Sequence, residues 1–198
     1  MAMTQTRRLG IFLALALVMA ATRIHHFAAM PDASWAVFFL AGFWLRGSAR
    51  WAFPLLMAEA VLVDYLVITG QGMDFWSHYC VSPAYWALVP AYASLWLGGN
   101  WLARHQRGLH VSTLGLAAVA LLAGELVCYV ISNGSFYWVS NSVPQPRSLG
   151  AWAVNLGDWY LPFLGTTALY VAIGAVLHVL VIQLARTLGH AAPRGLRH

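Results

Sequence analysis

The chain contains no lysine: all eleven basic residues among its 198 are arginine. A phosphate-binding P-loop needs a lysine to reach the β- and γ-phosphates, so the chain carries no such ATP site of its own. Charge of either sign is scarce, with charged residues making up 9% of the sequence against roughly 25% in a soluble domain. There are only two cysteines, Cys80 and Cys128, and no C-x-x-C pair, which argues against a structural zinc site. The arginines are spread over short connections instead of forming one basic face. The net charge of +5 therefore does not point to nucleic acid.

What is abundant is apolar. Hydrophobic residues make up 61% of the chain, in runs that recur near the ~20 residues needed to cross a bilayer. The expected fold is an all-α integral membrane protein, a single domain over residues 1–198. Six transmembrane helices are predicted, at 9–24, 34–45, 51–68, 83–102, 111–132 and 159–188. The opening "MAMTQTRRLGIFLALALVMAA" also has the charged-then-apolar form of a signal peptide. Because only further apolar segments follow, it is read as the first helix. The second segment is short, and requires either an earlier start near Ala28 or a locally thinned bilayer.

Arginine placement orients the spans. With the N-terminus in the cytoplasm, Arg7, Arg8, Arg46, Arg50, Arg104, Arg107, Arg186, Arg194 and Arg197 fall inside, and only Arg23 and Arg147 outside. Both termini are then cytoplasmic, and connections 25–33, 69–82 and 133–158 lie on the outer side. The last is long for a structureless loop, and its aromatics argue against disorder. The outer face is therefore expected to build a pocket or lid.

Cys80 lies on that face, in "HYCVSPAYW", and has three readings. It packs as a small hydrophobe, it pairs with Cys128 in an oxidising compartment, or it is a reactive or metal-binding thiolate. A helix start at Pro83 favours the thiolate, because helix N-termini lower thiol pKa. One thiolate suits a metal that already holds most of its ligands, such as haem iron or corrin cobalt. His25, His26 and His78 are rival axial donors on the same side. Outer aromatics, among them Trp76, Tyr79, Tyr85, Trp86, Tyr129, Phe136, Tyr137, Trp138, Trp152, Trp159 and Tyr160, are interleaved with Asn133, Asn141, Gln145 and Asn155. Aromatic belts account for many of them, but the mixture also suits a large, flat, amide-rich ligand. Asp64, near the outer end of its helix, is placed to face a pocket. Glu59 and Glu125 lie nearer mid-membrane without an evident basic partner, where proton relay and structural hydrogen bonding are equally good readings. Ala16 and Ala20 form a small-xxx-small pair on the first helix, for internal packing or for a partner helix.

Six short-looped helices, this small-residue first helix and a ligand face of outer loops resemble the substrate-binding S-components of energy-coupling factor transporters. The cysteine in "SHYCVSPAYW" and the tract "ISNGSFYWVSNS" are similar to the BtuM family of bacterial cobalamin transporters. The resemblance covers essentially the whole chain. It implies a protein of the bacterial inner membrane that transports cobalamin, vitamin B12, and is not an enzyme in the ordinary sense. The corrinoid would bind at the periplasmic face with its nucleotide base detached from cobalt. Cys80 would be the axial cobalt ligand, and His78, Tyr79, Tyr85, Trp86, Tyr137, Asn141 and Asp64 would surround it. Ala16 and Ala20 would meet a coupling subunit, to which ATPases attach. A thiolate opposite cyanide is also expected to promote cyanide loss from cyanocobalamin. The competing readings are a membrane haem or quinone oxidoreductase, and an S-component for another vitamin.

Overall fold

The computed structural model describes residues 3–24 and 31–191. The candidate donors His25 and His26, the earlier start near Ala28, and Arg194 and Arg197 lie outside the described residues. Six α-helices and one 3-10 turn are present, and no strand among the described residues: α1 (Gln5–Arg23), α2 (Ser34–Trp44), α3 (Ala49–Gly70), the turn Pro83–Ala87, α4 (Leu88–His105), α5 (Val111–Val139) and α6 (Leu149–Ala191). Three of them, α3, α5 and α6, are long and apolar enough to cross a membrane. Their exposed faces are rich in Leu and Val, including Leu62, Leu66, Leu114, Val119, Leu122, Leu161 and Leu177. Such faces are solvated by lipid and not by water, which marks the chain as a membrane protein.

At 1.5 Å per residue, the 11-residue α2 is about 16 Å long, roughly half a hydrocarbon core. It is nonetheless the centre of the molecule, with Val37, Phe38, Phe39 and Ala41 buried. Two glycines let it sit there. A Cβ on Gly42 would collide with the Trp96 carbonyl of α4, and one on Gly99 with the Phe39 carbonyl of α2. The α4–α5 crossing repeats the device more loosely, with a Gly98 Cβ 2.9 Å from the Ala120 carbonyl and the Ser94 hydroxyl donating to the Gly124 carbonyl at 2.9 Å. Close backbone approach at small residues is how helices associate in lipid, where no hydrophobic force drives them together.

The small pair singled out on α1 lies partly against the core. Ala16 and Ala20 are half-buried, Ala16 against the core, whereas Gly10, Ala14, Leu13 and Leu17 are exposed.

Two boundaries differ from the sequence reading. Residues 83–87 form a 3-10 turn before α4 instead of its first turn. The expected outer connection 133–158 is mostly helix, leaving only residues 140–148 between α5 and α6. "SNGS" reads as turn chemistry, but each group is satisfied inside the helix pair. The Ser132 and Ser135 hydroxyls donate back to carbonyls three residues earlier, a local bond open to serine in a helix. The Asn133 amide bonds both Asn155 and the Trp152 indole, and Gly134 leaves room for the Trp152 ring. The remaining connection is tied by Arg147, whose guanidinium donates to the carbonyls of Trp138, Ser140 and Val143.

Candidate functional site

A partly open cavity of about 580 Å³ lies at one end of the bundle, within the roughly 300–1,000 Å³ of small-molecule sites. Its lining comes from the last residues of α1 and α3, the first of α2 and α4, the turn Pro83–Ala87, and the facing stretches of α5 and α6. It is therefore the end where α1, α3 and α5 finish and α2, α4 and α6 begin. The described arginines near the other ends, Arg7, Arg8, Arg46, Arg50, Arg104 and Arg186, are all remote from the lining.

The cavity's polar floor is one network. Arg23, only 6% exposed, forks onto Asp64, with Nε donating to Oδ1 at 2.6 Å and Nη2 to Oδ2 at 2.7 Å. Its Nη1 donates to Asp32 at 3.0 Å, to the Ser34 hydroxyl at 3.0 Å and to the Tyr92 hydroxyl at 3.4 Å. The Tyr85 hydroxyl donates to Asp64 Oδ2 at 2.5 Å. Asp32 in turn accepts from the backbone and hydroxyl of Ser34 at the start of α2. One guanidinium thus joins α1, α2, α3 and α4, in the fork geometry that makes arginine the residue for buried carboxylates. Sequence reasoning singled out Asp64 but used Arg23 only to orient the chain, and did not single out Asp32.

Above the floor stand Cys80 and His78, both on the wall. His78 is buried, and its Nδ1 accepts the Cys80 backbone N–H at 3.3 Å, which fixes the thiol's position relative to the ring. Cys80 is half-buried and Cys128 is buried in the core, and both thiols are free; no disulfide joins them. Burial pushes the Cys80 thiol above its ordinary pKa, assisted by the Asp64 carboxylate, while the Tyr79 hydroxyl and Arg23 pull the other way. The expected lowering by a helix N-terminus is thus not met, because an α-helix does not start at Pro83 and desolvation of the thiolate outweighs the favourable contacts. The interaction with Cys80, ahead of burial, holds the Tyr79 phenol above its ordinary value.

Of the residues singled out in the sequence, the cavity brings together Cys80, His78, Tyr85 and Asp64 with the outer aromatics Tyr129, Phe136 and Trp159. Tyr79 and Trp86 are exposed and outside the lining, as is Asn141 in the α5–α6 connection. Tyr137, also outside it, uses its hydroxyl on the Ser148 backbone. The opposite wall comes from residues not singled out one by one: Trp35 and Phe163, stacked at 4.9 Å between centroids, with Ser132, Thr166 and Thr167. Asn133, expected as an outer amide, also lines it. Pro162 lies in the same wall inside α6, where it removes a backbone hydrogen bond. The arrangement offers a flat ligand an aromatic and aliphatic slot, hydroxyls and amides at its rim, and one soft donor. No protein-family model matches the chain, and no curated protein matches it at a significant level.

Proposed function

We propose that the chain is a membrane-embedded binding and uptake protein for a corrinoid of the cobalamin type, akin to energy-coupling factor S-components of the BtuM family. The observation that carries this reading is a free thiol, Cys80, on the wall of a cavity otherwise lined mainly by aromatic and aliphatic side chains. Corrin cobalt brings four equatorial nitrogens and needs one protein donor. A whole cobalamin is larger than the cavity, so the macrocycle occupies it and the nucleotide tail lies at its mouth, detached from the metal. Cobalt coordination displaces the thiol proton, because a coordinating thiol is deprotonated outright. His78 orients the loop, and the Asp64–Tyr85 pair lies against the same face.

The reading includes six alternating membrane crossings, with the cavity facing the periplasm of the inner membrane and both termini in the cytoplasm. The short α2 crosses within the shell of its neighbours. Thiolate donation opposite cyanide weakens the cobalt–carbon bond, so cyanide leaves with its bonding pair and a solvent ligand replaces it. ATP-driven release requires other subunits. A coupling subunit reaching Ala16 and Ala20 would do so between the exposed Leu13 and Leu17 of α1.

Among the described residues, a haem site in this cavity would draw both iron ligands from His78 and Cys80, two residues apart on one wall. His178 is bonded to Trp44 on a different part of α2, away from the lining. One soft donor on one wall therefore argues against a two-ligand redox haem and suits corrin, as it would a haem held by a single thiolate.

The test is the visible spectrum of protein purified in detergent from cells grown with cobalamin. A corrin spectrum altered in Cys80→Ala supports the reading, and a colourless wild-type protein or a haem Soret band contradicts it.

A further inference from the structure

Buried positions on α5 follow the helical repeat: Ala120, Leu121, Gly124, Glu125, Cys128 and Tyr129. Glu125 stands in the middle of this apolar stripe with 0% of its surface exposed. Neither carboxyl oxygen has a partner in hydrogen-bonding geometry, although the Tyr160 hydroxyl lies close enough to interact with it. The ionisable groups around it are all neutral or acidic. On α5 itself they are Cys128 and Tyr129, and α6 contributes Tyr160 and Asp158. From α4, Tyr92 interacts with the neighbouring Cys128, and α2 carries no ionisable residue. Among the described residues Glu125 forms no salt bridge.

An isolated carboxylate in such a place costs several kcal/mol, and the group escapes this by holding a proton. It also lies one helical turn before Tyr129, a wall residue of the cavity. Tyr129 contacts Tyr160 at 5.4 Å between ring centroids and donates to the Leu156 carbonyl of α6 at 2.9 Å. Glu125 therefore sits under the α5–α6 seam that forms one side of the cavity.

We propose that Glu125 is a proton-binding site linked to ligand occupancy: its neutral form holds the α5–α6 wall in the ligand-competent packing, and its ionisation loosens that wall. On ionisation the O–H bond breaks heterolytically, the electron pair stays on the carboxylate and the proton passes to water admitted at the seam. Ligand release then goes with loss of the Glu125 proton, while the freed Cys80 thiolate takes a proton back from water, so the linked step is read at Glu125. The linkage rests on the reading of the cavity as a corrinoid site, whereas the protonation of Glu125 does not.

Two measurements on the purified full chain test it. The infrared spectrum of the empty protein at neutral pH is expected to show the carbonyl stretch of a protonated carboxylic acid that is absent in Glu125→Gln. Its absence from the wild type overturns the proposal. Cyanocobalamin affinity is then followed against pH. Because Cys80 gives up its proton on coordination, affinity rises with pH, and once Glu125 ionises the wild type is expected to fall behind Glu125→Gln by roughly tenfold per pH unit, the slope of one linked proton. Glu125→Gln keeps the rise set by Cys80 over that range and Glu59→Gln keeps the wild-type slope. Equal slopes in the wild type and Glu125→Gln overturn the linkage. If no variant binds cyanocobalamin, the corrinoid reading and the linkage fall together, and the infrared band alone upholds or overturns the proton site.

Discussion

Replacing Arg23 by leucine would leave Asp32 and Asp64 without the guanidinium they share. Removing one partner from a buried ion pair costs about 3–5 kcal/mol, because the remaining charge loses its compensation. Thermal unfolding in detergent should show a clear fall in midpoint for Arg23→Leu, whereas Arg147→Leu, at an exposed connection, should unfold nearer the wild-type temperature. An unchanged midpoint in Arg23→Leu would contradict the network's role. Cys80 offers a prediction of opposite kind. Its raised pKa means that less thiolate is present at neutral pH than for an ordinary thiol, and thiolate is the species that alkylates. Maleimide labelling of the Cys128→Ala protein should therefore be slow at pH 7. The rate should keep rising at alkaline pH, where an unperturbed thiol has levelled off. A rate that plateaus near neutrality would mean a depressed pKa and overturn the desolvation argument. At this scale the sequence was legible where chemistry is rare. A cysteine, a histidine and a tyrosine within one short stretch were visible as a cluster, and an acid inside a span stood out. Arg23 was read only as one of two arginines on the outer side. The available signal was that Arg23 shares the arginine-poor side with two acids, Asp32 and Asp64.

Helix pairing depends on glycines whose importance is invisible in one dimension. Gly42 and Gly99 face opposing carbonyls across the α2–α4 crossing, while a Cβ at Gly10 or Gly115 would meet nothing within 4 Å. Gly42→Ala and Gly99→Ala should each sharply reduce the yield of monodisperse protein, and Gly115→Ala should leave it unchanged. Equal yields for all three would show that the crossing is looser than described. All four are glycines inside apolar runs that no one-dimensional pattern ranks, and the small residues that stood out in the sequence were Ala16 and Ala20. The short α2 was found at nearly its true bounds because turn chemistry flanks it on both sides. The ends of α5 and α6 were misplaced because serine and asparagine were read as breakers. The serines are satisfied within their own helix and Asn133 across the α5–α6 pair, a partnership that no local window contains.

For the whole molecule, the gathering of most arginines at the ends away from the cavity, with Arg23 and Arg147 the exceptions, is the feature that ties architecture to orientation. The described helices alternate in direction about the cavity, which is the pattern six crossings would produce. With native cysteines removed, a cysteine placed at Ser142 should be labelled by an impermeant reagent from the periplasmic side, and one at Gly108 only after the inner membrane is opened. Labelling of both from one side would refute the six-crossing arrangement. The cavity's full lining was not legible in advance, because Trp35, Ser132 and Thr167 come together only through the packing of α2, α5 and α6. The whole corrinoid proposal turns on one bond, from the Cys80 sulfur to corrin cobalt. X-ray absorption at the cobalt edge of the cobalamin-loaded protein tests it most directly. A sulfur scatterer in the cobalt's first shell, present in the wild type and lost in Cys80→Ser, is the predicted result. A first shell of nitrogen, oxygen and carbon alone in the wild type would contradict it.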